Sequence, residues 1–149
     1  MNTEMSQSFI SFLQSSITPV ALISGVGLLL LTITNRLGRT IDRTRHLVAE
    51  LDKPETVRRE VKQHEIIILY RRSRLLRNSI AFIVISVFSS SLIIPLLFIM
   101  NLSGKDFRTL GYLLFIVSIV SILISSFYFL KDVLLSLNAI KLEAADYLE

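Results

Sequence analysis

Three long stretches of this chain are unbroken by charge. Residues 17–33, 80–100 and 110–130 contain no Asp, Glu, Lys or Arg, and Leu, Ile, Val and Phe dominate them. At ~1.5 Å per residue, ~20 residues cross a hydrocarbon core of ~30 Å. The second and third stretches have that length directly. The first reaches it with uncharged residues upstream, among them Phe9, Ile10, Phe12 and Leu13. Buried helices of a soluble bundle keep a polar stripe. Here the polar groups of the second and third stretches are serines, Tyr112 and Tyr128. Serine bonds back to the carbonyl one turn earlier, so a helix in lipid tolerates it. The pattern predicts an all-α integral membrane protein with three transmembrane helices in one membrane domain, residues 1–149.

The segments between the spans also carry a pattern. In residues 1–16, Phe9, Phe12 and Leu13 fall on one helical face with Ile17, opposite Ser8, Ser11, Gln14 and Ser15. This segment is either a short amphipathic helix in the membrane interface or an extension of the first span. Thr18-Pro19 predicts a break between the two. Residues 34–79 read as two helices joined at Asp52-Lys53-Pro54-Glu55. Leu37, Ile41, Thr44, Val48 and Leu51 step by fours and threes, and Val57, Val61, His64 and Ile68 do the same. Two such seams joined by a short turn predict an antiparallel helical hairpin running directly into the spans. Residues 101–106 predict a short external turn. Beyond Leu130, residues 131–149 predict a helix burying Val133, Leu137, Ile140, Ala144 and Leu148, with Asp132, Lys141 and Glu143 off that face.

Composition narrows the chemistry. The chain of 149 residues carries a formal charge of +4, is 52% hydrophobic and has no cysteine. Disulfides, thiol catalysis and Cys-ligated metals are therefore excluded. No metal or cofactor is expected, since there are only two histidines and no HExxH or Gly-rich phosphate loop. No Ser–His–Asp grouping has a recognisable spacing, and no acid lies within the spans, as a proton pathway would require. The expectation is a protein without enzyme activity. Twelve of the 16 Lys and Arg lie in 34–79. The positive-inside rule then places that stretch in the cytoplasm, with the N terminus outside and the C terminus inside. Six acids are mixed among those bases and Tyr70 is the only aromatic there, so no nucleic-acid platform is expected.

The most informative stretch leaves the first span. Arg36, Arg39 and Arg43 fall on one helical face, and Asn35, Arg39 and Asp42 line a neighbouring one. Asp42 is three residues from Arg39 and from Arg45, within helical pairing reach. Arginine suits fixed, forked bonding to carboxylates and phosphates. A second basic belt, Arg71, Arg72, Arg74 and Arg77, precedes the second span. In a hairpin centred near Lys53 the two belts come level, and Asp42 comes opposite His64. Asp42, Glu60, Glu65 and lipid phosphates are the candidate counter-charges. In the first span, Ala21, Ser24, Gly25 and Gly27 form a narrow side suited to close helix packing. Ser118, Ser121 and Ser125 share one face of the third span, read as a packing stripe.

The segment Ile17-Thr18-Pro19-Val20-Ala21-Leu22-Ile23-Ser24-Gly25-Val26-Gly27, followed by Thr34-Asn35-Arg36-Leu37-Gly38-Arg39-Thr40-Ile41-Asp42-Arg43, resembles the bacterial membrane protein family DUF2721. Arg71-Arg72-Ser73-Arg74-Leu75-Leu76-Arg77-Asn78 and the close of the third helix also resemble it, so the likeness runs from about Ile10 to Leu142. The resemblance implies a multi-pass protein of the bacterial cytoplasmic (inner) membrane and supplies no activity. Two functional readings follow from the residues. The first is a homo-oligomeric ion channel or pore, with the first helix on its axis and Arg36, Arg39 and Arg43 at the cytoplasmic mouth. The second is a non-conducting adaptor or lipid-organising scaffold. Its cytoplasmic helices would bind a protein partner or the anionic headgroups of the bilayer.

Overall fold

A computed structural model describes residues 2–52, 59–103 and 106–148, with side-chain surroundings for residues 7, 10–52, 59–102 and 106–137. The described residues form three α-helices: α1 (Asn2–Leu51), α2 (Arg59–Ser103) and α3 (Arg108–Leu148). Each is long and apolar enough to cross a membrane. In lipid the helix is the one open segment that satisfies all of its own backbone groups, which is why uninterrupted apolar sequence adopts it. The Asp106 carboxylate starts α3 by accepting the Arg108 N–H at 3.0 Å, as an N-terminal cap does.

The break at Thr18-Pro19 is absent: Pro19 lies inside α1, so residues before it extend the first helix. Proline removes a single N–H, the one that would reach the Ser15 carbonyl, and the helix continues on both sides of it. Ser15 and Ser16 donate to the carbonyls of Ser11 and Phe12, each at 2.9 Å. The hairpin turn at Lys53, Pro54 and Glu55, and Val57 with it, lie outside the described residues. So do the surroundings of Ile140, Lys141, Glu143, Ala144 and Leu148.

The chain divides into two compact units: Met1–Leu30 with Phe82–Ile124, and Leu31–Ala81 with Ser125–Glu149. The first unit is cored by Val26, Ile83 and Ile93 and by the buried serines Ser86, Ser89, Ser90, Ser118 and Ser121. Ser86 and Ser118 bring their hydroxyls to 2.8 Å, Ser90 and Ser118 to 2.7 Å, and Ser118 also reaches the Ser86 carbonyl. Phe12 of α1 meets Phe98 of α2 edge to face at 5.9 Å. Leu28, Phe88, Leu113 and Leu123 point outward, as lipid-facing residues do.

The second unit contains the predicted antiparallel hairpin. Arg43 pairs with Glu65 and Glu50 with Lys62, so positions rise along α1 as they fall along α2. Its buried line on α1 is Ile33, Thr40 and Leu47, and on α2 Leu69, Leu76 and Ser79. Ile41, Val48, Val61 and His64 are exposed, which corrects the two expected seams. The stripe is rotated by about one position: Thr40 is buried and Arg36, one turn before it, reaches Asp132 of α3. There, Asp132 is fully buried and Leu137 exposed, the reverse of the expected face. Ser79 and Ser125 donate to one another's carbonyls at 2.9 and 2.8 Å.

Among the described residues, nine polar or charged residues are buried and only seven hydrophobic ones. A water-soluble core has the opposite bias. Apolar exteriors around small polar interiors fit helices packed in lipid, where hydroxyls and small side chains hold the helices together. The chain is a multi-pass membrane protein in composition and in how it packs.

Candidate anion-binding site

The second unit brings charge together around one residue. Asp132 on α3 has no solvent-exposed surface. Its Oδ1 accepts a hydrogen bond from Arg72 Nε of α2 at 3.1 Å, and Arg36 Nη2 of α1 lies 3.1 Å from its Oδ2. The second contact is an ion pair without an aligned N–H, so among the described residues Oδ2 accepts no hydrogen bond. One carboxylate thus joins all three helices. The Arg36 guanidinium also stands 5.2 Å over the Phe129 ring, one turn before Asp132, in cation–π contact. Side-chain exposure is 24% for Arg36 and 18% for Arg72. A buried carboxylate tolerates this location because two cations meet it there.

Above this junction an open cavity of about 360 Å³ is lined by Arg36, Arg39, Thr40, Arg43, Leu69 and Arg72. Neither Asp132 nor Glu65 lines it. Arg43 is held by Glu65, with Nε and Nη2 both 3.0 Å from Oε1. Arg39 makes no ion pair among the described residues. The Thr40 hydroxyl donates back to the Arg36 carbonyl at 2.9 Å. The cavity therefore offers guanidinium N–H groups as its donors, and its volume falls within the range of small-ligand sites.

Farther along the hairpin, Glu50 accepts from Lys62 at 2.8 Å and lies 3.1 Å from His46 Nδ1. The hydrogen bond from Lys62 holds the Glu50 carboxyl below its ordinary range. Burial opposes that shift, and the charges of Lys62, His46 and Arg43 add to it.

Most residues of this cluster come from the two basic belts of the sequence. Arg36, Arg39 and Arg43 share the cavity wall, and Arg72 of the second belt comes level with Arg36. Glu65, one of the proposed counter-charges, pairs with Arg43. Asn35, Asp42, Arg45, Arg71, Arg74 and Arg77 are exposed. Arg74 and Arg77 line a separate cavity of about 220 Å³ with Leu37, Ile41, Tyr70 and Ser73. Asp42 makes no ion pair with Arg39, Arg45 or His64 among the described residues. Asp132 was missed, having been assigned to the outer side of its helix. Its signal was spacing: it falls seven residues after Ser125 and fourteen after Ser118, on one face.

In the first unit, Ala21, Ser24, Gly25 and Gly27 all lie on the exposed side of α1. Apart from the adjoining residues and the helix's own nearby backbone, no atom lies within 4 Å of where a Cβ would stand at Gly25 or Gly27. This narrow side is not used for packing within the unit. A largely apolar cavity of about 390 Å³ lies elsewhere in the unit, among Thr18, Leu22, Leu96, Met100, Gly111 and Tyr112.

No curated protein and no solved structure matches the chain. The model of the family described as protein of unknown function (DUF2721) matches residues 16–142, and the chain belongs to that family.

Proposed function

We propose that this DUF2721 member is a membrane protein that binds and organises anionic lipid, holding phosphate-bearing headgroups in its arginine cavity. The carrying observation is the cavity itself: four arginines and no lining carboxylate, in sequence that adjoins two candidate spans. Arginine forks match phosphate geometry, and such groups at a bilayer surface attract anionic headgroups. The predominance of Lys and Arg in 34–79 supports a cytoplasmic face for the cavity, with the N terminus outside, in a bacterial inner membrane. No catalytic grouping enters this reading. A cytoplasmic protein docking on the exposed residues of the hairpin is compatible with it.

The pore reading asks Arg36, Arg39 and Arg43 to face an axis between copies. Arg36 and Arg43 are instead engaged by Asp132 and Glu65 of their own chain, which favours lipid binding. The unpacked side of α1 at Ala21, Ser24, Gly25 and Gly27 is the contact we assign to a second copy, in a homo-oligomer without a central channel. Native mass spectrometry of the protein released from its own lipid tests both points. Retained anionic lipid, reduced by Arg39→Ala, is the expected result. Closed rings of four or more copies, conducting in planar bilayers with a selectivity that Arg36→Ala changes, would overturn it.

A further inference from the structure

We infer that the arginine cavity is built for a phosphate dianion, the terminal phosphate of a phosphomonoester, in preference to a singly charged phosphodiester. This inference rests on the anion-binding reading above and names the ligand chemistry.

Four guanidinium groups line the cavity: Arg36, Arg39 and Arg43 from α1 and Arg72 from α2. Two carboxylates answer them, Glu65 from α2 and Asp132 from α3, both outside the lining. Four cations less two anions leave a surplus of two positive charges around one opening. A phosphomonoester carries a charge of about −1.5 to −2 at neutral pH and presents three acceptor oxygens. A phosphodiester carries about one charge and presents two free oxygens, leaving one cation of the surplus unanswered.

The donors are also arranged in advance. Asp132 engages Arg36 through Nη2 and Arg72 through Nε, leaving each guanidinium further N–H groups. Phe129 adds a cation–π contact to Arg36. Arg39, with no acid partner among the described residues, is the group whose charge is most available. Thr40 gives its proton to the Arg36 carbonyl, and Leu69 is apolar. The wall thus favours negative charge and acceptor oxygens. A lipid with a phosphomonoester head and a free phosphate have the same chemistry here.

The test uses the full-length protein in nanodiscs of neutral phosphatidylcholine. Inorganic phosphate, pyrophosphate and sulfate are titrated in by calorimetry. In parallel, the protein is exposed to vesicles containing phosphatidic acid or phosphatidylglycerol at matched headgroup charge, and bound lipid is counted by native mass spectrometry. Phosphatidic acid is expected to be retained about ten-fold over phosphatidylglycerol. Phosphate binding is expected to weaken several-fold between about pH 7.5 and 5.5, where its second proton returns. Sulfate stays doubly charged across that range and should not weaken. Arg39→Ala should abolish the preference, and Arg59→Ala, away from the cavity, should leave it.

Equal retention of the two lipids, both lost in Arg39→Ala, would overturn the dianion preference and leave anionic-lipid binding standing. Tight phosphate binding with no lipid preference would support the dianion site and overturn its lipid role. No anion binding in any arm, or identical losses in Arg39→Ala and Arg59→Ala, would overturn both.

Discussion

Asp132→Asn removes one negative charge and keeps the side chain's shape. It breaks both ion pairs at the three-helix junction, since Arg36 and Arg72 share that carboxylate. Removing one partner of a fully buried pair costs about 3–5 kcal/mol. Here the arginines keep 24% and 18% of their side-chain surface, so water takes up part of the loss. The amide oxygen also still accepts from Arg72 Nε. The expected cost is therefore below that range, about 2–3 kcal/mol. At about 2–4 °C per kcal/mol for a chain of this size, the thermal midpoint should fall by roughly 5–10 °C. The assay is reversible thermal unfolding in nanodiscs, followed by circular dichroism, for Asp132→Asn, Arg72→Gln and the double variant. If the carboxylate is the shared partner, Arg72→Gln costs much less once Asp132 is already Asn, with a coupling of about 1–2 kcal/mol. A cost for Asp132→Asn under about 0.5 kcal/mol, or additive single variants, would refute the junction.

Three further outcomes are expected. Ser118→Ala removes hydroxyl contacts to Ser86 and Ser90 and should cost about 0.6 kcal/mol, typical of membrane-embedded hydrogen bonds. Ser118→Leu, at the same fully buried site, should cost about 1–3 kcal/mol through overpacking; equal costs in the same unfolding assay would disprove close packing there. The chain has no cysteine, so a Ser79→Cys, Ser125→Cys variant should cross-link on mild oxidation, given hydroxyls 2.7 Å apart; failure to shift on a non-reducing gel refutes that helix pairing. Glu50, with a folded-state carboxyl held below its ordinary 4.5, favours the folded hairpin above that value. The contribution is lost as pH falls through the lowered folded value, so Glu50→Gln should flatten the acid limb of a stability profile; an unchanged limb counts against the Lys62 contact.

How much of this was legible in the sequence depends on which force set each feature. The three spans were, because lipid imposes a crude rule of length and missing charge that 80–100 and 110–130 satisfy residue by residue. The meeting of Arg36 with Arg72 followed from counting along a hairpin about Lys53, since rise per residue is nearly constant. The interior faces were harder. Apolar spacing pointed to Ile41 and Val48, but an interior joined by serines and an ion pair does not advertise itself by hydrophobicity. Thr40 is buried and Ile41 exposed, on a helix whose Arg36 is drawn to Asp132. Asp132 looked like an outward charge for the same reason: its two partners lie about 60 and 96 residues upstream. Periodicity within one helix carries no record of them.

The spacing of the α2–α3 contacts in the second unit also governs how the helices can be misassembled. Arg72 meets Asp132 and Ser79 meets Ser125, with seven residues between the contacts on each helix. A serine pair alone would tolerate α3 sliding along α2, because one hydroxyl is much like another. Sliding by seven residues one way would set Asp132 opposite Ser79, and sliding the other way would set Ser125 opposite Arg72; either slide parts Asp132 from Arg72. The ion pair therefore acts as a key in the register between two otherwise permissive surfaces, because only one docking position keeps Asp132 on Arg72.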